Sequence, residues 1–329
     1  MMKRNLLRAM VSHAVLVCVA GAAAAQSTPG GYPGKPIRLV IPFAPGGPTD
    51  LFARLFAERL SAVSGQQVLV DNRAGAAGNI AYASVAKSAP DGYTLLLGTT
   101  GLATNPLIYK TLSYDSAKDF QPIALLAVAP LVLLTPAQAP DTVAGVVARL
   151  KANPGNFSYP SGGSGTSTHL AAEMFKLKAG VDAIHVPYRG SGPAFLDTLA
   201  GRHVFMFDTI GASRPHVSAG KLNLVAVASA KRSQAAPGVP TFAEAGIDGM
   251  QAFTWNMLLA PAGTPRAVVE ALNRLSNTAI SDPGLARRSA DLAIDLTGDS
   301  TPESAGAFIA SETRRWSDVV KASGIKIDE

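Results

Sequence analysis

Cysteine is almost missing from this 329-residue chain: there is one, Cys18, and it falls inside a leader segment. The mature chain then has no thiol, which excludes disulfide stapling, thiol catalysis and zinc–thiolate chemistry. A chain of about 300 residues buries enough core to stand without disulfides. After the leader, no apolar run reaches the roughly 20 residues that a membrane span needs without a Pro or a charge. Runs of Lys and Arg are missing too, so nucleic acid is not an expected partner. Lys and Arg number 29 against 23 acidic residues, a net charge of +6; without Lys3, Arg4 and Arg8 of the leader the count is 26 against 23 and the excess +3.

The leader reads as a secretory signal peptide. Lys3, Arg4 and Arg8 form a basic start, residues 15–20 an apolar core, and Ala23-Ala24-Ala25 a small-residue cleavage site. Cleavage near Ala25 and a periplasmic location follow. Cys18 is preceded by Val17, where lipid attachment needs a small residue, so no lipid anchor is expected.

What the chain has in quantity is glycine placed after strands. Residues 37–41 are an apolar, β-branched run that breaks at Pro42-Phe43-Ala44-Pro45-Gly46-Gly47-Pro48-Thr49-Asp50, and Leu51, Phe52, Leu55 and Leu60 follow at helical spacing. A strand at 67–71 runs into the Gly-rich stretch 72–79, a helix over 80–88 follows, and a strand at 93–98 ends at Thr99-Thr100-Gly101. Strand, helix and strand in alternation imply an α/β fold with a largely parallel sheet and right-handed crossovers. The pattern then repeats. Residues 157–160 form a strand, Ser161-Gly162-Gly163-Ser164-Gly165-Thr166 a loop, and Leu170, Met174 and Leu177 the apolar face of a helix capped by Thr166 or Ser167. A third turn, Arg189-Gly190-Ser191-Gly192, also leads from a strand into a helix.

Two apolar runs, 124–135 and 222–229, read as strands that cross between lobes. The expected organisation is a signal peptide at 1–25, a first lobe built from 32–124 and 229–329, and a second lobe, 125–228, inserted in it. Ligands in such sheets sit beyond the carboxyl ends of the strands, so the site is expected between the lobes.

Local signatures of catalysis are missing from these loops. No Lys completes a P-loop after Gly47 or Gly165, the first strand lacks Gly-x-Gly-x-x-Gly, and Gly162-Gly163-Ser164-Gly165-Thr166 has Thr where a nucleophile elbow needs Gly. His169, His185, His203 and His216 show no metal-binding spacing. No cofactor and no metal are expected. What is left is a set of neutral groups suited to a carboxylate: the hydroxyls of Thr100, Ser161, Ser164 and Thr166, and the backbone N–H groups of Gly46, Gly47, Gly163 and Gly165. A helix start adds its partial positive charge. Asp208 reads either as an acceptor for a ligand ammonium or hydroxyl, or as the N-cap of the helix after it. Asp50, in a first helical turn, reads as structural or ligand-facing.

Taken together, Pro42-Phe43-Ala44-Pro45-Gly46-Gly47 with Asp50, Gly78-Asn79-Ile80, Pro90-Asp91-Gly92-Tyr93, Gly165-Thr166-Ser167 with His169, His185-Val186-Pro187-Tyr188 and Met206-Phe207-Asp208 make the chain resemble the Bug-type substrate-binding receptors of tripartite tricarboxylate transporters. The resemblance runs from residue 32 to 327. It implies a two-lobe type II periplasmic binding fold (a Venus flytrap) with two crossing hinge strands, no enzymatic activity, and a small carboxylate ligand: a dicarboxylate, an amino acid or an aromatic acid. One loop per lobe would grip it, Phe43, Ala44, Pro45, Gly46, Gly47, Thr49 and Asp50 on one side and Ser161 to Thr166, with Gly162, on the other. Asn79, Thr100, His169, Tyr188 and Asp208 complete the expected site. The implied partner is a membrane transporter of one large and one small subunit, served by a monomeric receptor. Asn256-Met257-Leu258 and Thr209 depart from the family pattern, and are expected to alter the far part of the cleft. A secreted hydrolase or transferase on the same scaffold, and a sensor that signals through a partner, are the alternative readings.

Overall fold

The computed structural model describes residues 31–326, so the leader expected at 1–25 lies outside the described residues. Ile37–Ile41 (β1) is buried except at Arg38, as an inner strand covered on both faces must be. It pairs in parallel with Val68–Asn72 (β2) on one side and Thr94–Gly98 (β3) on the other. Between them run Pro48–Ser64 (α1) and Asn79–Ala86 (α2). α1 begins at Pro48, where a missing N–H costs nothing, and ends at Gly65, whose φ of 68° no side chain obstructs. Its buried face, Phe52, Phe56 and Leu60, lies in the first-lobe core, and each such side chain contributes about 2 kcal/mol by burial.

Gly101–Ile108 (α3) leads to Phe120–Pro136 (β4), a strand of 17 residues that both lobes share. Its first part pairs antiparallel with Phe253–Pro261 (β9), as far as Pro130 opposite Phe253. Its last part pairs antiparallel with Met206–Thr209 (β7) and Leu222–Val227 (β8), beginning at Leu131 opposite Thr209. Pro130, which has no N–H to give, stands where the partner changes. The first-lobe sheet runs β10 (Asp295–Leu296), β4, β9, β3, β1, β2. Parallel pairing is confined to β1, β2 and β3; the sheet is mixed because the strands that carry the chain between lobes run antiparallel.

The second lobe adds a parallel pair, Ser158–Ser161 (β5) and Ile184–Pro187 (β6), and four helices: Val143–Ala152 (α4), Ser167–Ala179 (α5), Ser191–Leu199 (α6) and Ile210–Ser218 (α7). The two-lobe α/β architecture is as expected, with one difference in its wiring. The run at 222–229 does not carry the chain back; β8 stays in the second lobe on β4. The return comes at Ala252, whose N–H donates to Ala228 O and whose carbonyl accepts from Leu131 N, both at 2.9 Å, immediately before β9. Residues 229–252, expected with the first lobe, accordingly place Ala236, Phe242, Met250 and Ala252 in second-lobe clusters. An apolar run does not reveal which sheet edge will accept it.

Arg266–Ile280 (α8) and Pro283–Asp291 (α9) cover the first sheet. The last helix, Pro302–Ser323 (α10), spans about 33 Å at 1.5 Å per residue. Ala305, Phe308 and Ile309 near its start pack in the first lobe, and Trp316 and Val320 near its end are buried in the second-lobe core.

Candidate functional site

A cavity of about 210 Å³ lies between the lobes. Leu131 of β4 is at its floor, at the residue where β4 changes partner, with Thr209 opposite and Thr254 of β9 nearby. The first lobe contributes Phe43, Ala44, Pro45, Gly46, Gly47, Pro48 and Thr49, the approach to α1. The second contributes three separate turns: Gly162 with Thr166, Ser167 and Thr168 at the start of α5, residues 189–193 at the start of α6, and Asp208 with Thr209 ahead of α7.

Four helices therefore start at one cavity. α1, α5 and α6 have no side chain capping their first N–H groups; α7 is capped by Thr209, whose Oγ1 accepts from Ala212 N at 3.3 Å. First-turn N–H groups have no partner inside their helix, and with the helix dipole they favour an anion. The start of α6 is held beside the α5 loop by backbone bonds, Tyr188 N to Ser161 O at 3.0 Å and Gly190 N to Gly162 O at 3.1 Å.

Several groups expected to grip the ligand are used to build the loops. Asp50 lies under the first loop, outside the cavity lining, where its carboxylate accepts from Gly46 N at 2.9 Å, from Arg54 Nε and Nη2 at 3.0 Å, and from Asn72 Nδ2 at 2.9 Å. Burial alone would raise its pKa; the bonds from Arg54, Gly46 and Asn72 outweigh burial and hold it below the ordinary carboxylate value. The Gly46 N–H is therefore spent. In the second loop, Ser161 is 1 % exposed and its hydroxyl lies 2.7 Å from His185 Nε2. Gly163 N donates to Ser161 Oγ, Gly165 N to His169 Nδ1 and Thr166 Oγ1 to Gly163 O, at 3.1, 3.1 and 2.7 Å. His169 stacks on His185 with ring centres 3.8 Å apart. Burial, aided by Lys176, lowers the His169 pKa to about 4; burial and then His169 lower that of His185 to about 3.

Of the remaining expected residues, Phe43, Ala44, Pro45, Gly47, Thr49, Gly162, Thr166 and Asp208 line the cavity together with Gly46. Gly163 and Tyr188 line a smaller recess of about 60 Å³ beside it, and the Tyr188 hydroxyl is turned away, donating to Asp197 at 2.5 Å. Asn79 is pinned in the first lobe by Asn105 Nδ2 and the Tyr114 hydroxyl, at 2.7 and 2.6 Å. Thr100, Ser164, Gly165 and His169 are not among the lining residues. Thr209 lines the cavity, whereas Asn256, Met257 and Leu258 do not, and the last two are core.

Sequence reasoning missed Arg189 to Pro193 as lining, although the Gly-rich turn at 189–192 was visible as a third strand-to-helix junction. It matters for charge. Among the described residues Arg189 and Asp208 are the only charged side chains in the lining. Arg189 is exposed. Asp208 is buried, and not as a cap: that position belongs to Thr209. Burial pushes the Asp208 pKa up to about 6, against the pull of the nearby Ser191 hydroxyl and the Thr209 N–H.

The sequence from residue 52 to 325 matches the model of the tripartite tricarboxylate transporter family receptor. The chain belongs to that family. Solved receptors of the same shape agree: the periplasmic binding protein BugD is 32% identical, with a TM-score of 0.85 over 90% of this chain and 99% of its own. Rpa4515 of R. palustris, solved with adipate, is 37% identical with a TM-score of 0.86 over 90% of this chain and 99% of its own. MatC of Rhodopseudomonas palustris, solved with malate, is 32% identical with a TM-score of 0.83 over 88% and 100%. The two-lobe arrangement described above is that of these solved receptors.

Proposed function

We propose that this chain is a periplasmic receptor that captures a small carboxylate between its lobes and hands it, as a monomer and without chemical change, to a membrane transporter of one large and one small subunit. A dicarboxylate, an amino acid and an aromatic acid are the ligand classes in view. The observation that carries this reading is the convergence of three uncapped helix starts, one from the first lobe and two from the second, on a single cavity. The adipate and malate found in two related receptors support it. The signal-peptide pattern of residues 1–25 supports export.

A hydrolase on this scaffold would need an accessible nucleophile. Ser161 and His185 do approach to 2.7 Å, but the Ser161 hydroxyl is buried behind the lining and bonded to the Gly163 backbone, so it faces no substrate. The geometry favours binding over catalysis.

The test is calorimetry and thermal shift against mono- and dicarboxylates. A ligand present at 100 times its dissociation constant stabilises by about 2.7 kcal/mol. Gly47 has a φ of −82° and nothing within 4 Å of where a Cβ would stand, so substitutions there are sterically neutral. Gly47→Ala is expected to bind as the native protein does, and Gly47→Asp, which puts a fixed negative charge where the anion belongs, to lose at least 100-fold in affinity while melting within a few degrees of it. Equal affinity of native protein and folded Gly47→Asp would overturn the reading.

A further inference from the structure

The cleft holds one carboxylate oxygen that receives no hydrogen bond from the chain, although the Ser191 hydroxyl lies near the same carboxylate. Asp208 is 2 % exposed. Its Oδ1 accepts from the N–H of Thr209 at 2.7 Å, with Thr209 Oγ1 at 3.5 Å, whereas Oδ2 has no hydrogen-bond partner. Pairing fixes its place: Asp208 stands opposite Val132 in the β7–β4 ladder, one residue from the Leu131–Thr209 pair at the cavity floor. Arg189, the other charged residue of the lining, is exposed. Buried acceptors without donors are rare because they are costly. Here the carboxylate belongs to a residue of the cavity wall, where a ligand can bring the donor that completes it.

The charge layout gives the ligand two unlike ends. The starts of α1, α5 and α6 attract a carboxylate. Asp208 repels one, because two facing carboxylates cannot both stay ionised at little cost. We propose that the cognate ligand carries, besides its carboxylate, a hydrogen-bond donor (an ammonium or a hydroxyl) that seats on Asp208 Oδ2, and that Asp208 is the residue that selects it over the plain acid of equal length. This assignment rests on the carboxylate reading above and sharpens it. The two donors share one chemistry, and matched ligands separate them.

The experiment is calorimetry of the native protein with two matched series: succinate, malate and aspartate, then glutarate, 2-hydroxyglutarate and glutamate. In at least one series a donor-bearing member is expected to bind ten times or more tighter than the plain diacid, and whether the hydroxy or the amino acid leads identifies the donor; either supports the assignment. Asp208→Asn, which keeps the size of the side chain and removes its charge, is expected to narrow that preference to below threefold by weakening the donor-bearing ligand. The native-protein comparison stands even if the variant does not fold. Plain diacids binding as tightly as their donor-bearing partners would overturn the role of Asp208 and leave the carboxylate reading intact. No binding by any of the six would overturn the role of Asp208, and the wider carboxylate screen above would then decide the carboxylate reading.

Discussion

Asp50 supports the site without touching it. It gathers the Gly46 N–H, the Arg54 guanidinium and the Asn72 amide under the first loop, and Asn72 in turn donates to Phe43 O at 3.0 Å. Removing the carboxylate strands several donors at once. Asp50→Ala is expected to lower stability at pH 7 by about 2 kcal/mol, discounted for the half-exposed Arg54, as read by urea denaturation. The folded pKa lies below the unfolded one, so this contribution is full above the unfolded carboxylate value of about 4 and is lost as pH falls through the folded value. The native and variant curves are therefore expected to converge in acid. A difference that persists unchanged at low pH would show that packing, and not the charge, is at stake. At this scale the sequence was legible in part. The position of Asp50 in a first helical turn announced a local partner for an acid, but the choice between loop and ligand depended on Arg54 and Asn72, and the latter comes from a different strand. The same limit hid Arg189: nothing in a Gly-Ser-Gly turn says which lobe it will face until β5 and β6 pair.

The second-lobe loop is an element with a pH-sensitive base. His169 must keep Nδ1 unprotonated to accept the Gly165 N–H, and its stacking on His185 disfavours charge on either ring. With folded pKa values of about 4 and about 3 against about 6.5 unfolded, the unfolded chain binds more protons below pH 6.5. Stability is thus expected to fall as pH drops from about 6.5 toward about 4. Asp208 works with the opposite sign, since its folded pKa is raised and acid relieves the cost of its burial. His169→Asn, which keeps an acceptor near the Gly165 N–H and removes one titrating ring, is expected to flatten the acid side of the stability curve, measured by denaturant titration across this range. An unaltered slope would assign the pH dependence to other groups. Elements themselves were well marked in the sequence: glycine after a strand and apolar spacing of 3 to 4 gave α1 and α5 close to their observed starts. Pairing was not. The run at 222–229 is as apolar as a crossing strand should be, yet its edge was taken by β4 inside the second lobe.

In the whole molecule, the lobes are joined by β4 and by the return at Ala252, and also touch through Thr104 Oγ1, which donates to Gly165 O at 2.8 Å. Opening and closing then means twisting β4 near Pro130 while the loops that line the cavity move as parts of rigid lobes. Saturating carboxylate ligand is expected to reduce the radius of gyration in small-angle scattering; an unchanged radius with a ligand proven by calorimetry would count against closure. β9 lies between β3 and β4 in the first sheet, and α10 seals both lobes, with Ala305 in one and Trp316 in the other. Neither lobe is therefore complete until the last fraction of the chain has been synthesised. A nascent chain wired this way cannot close either core before its last helix is made.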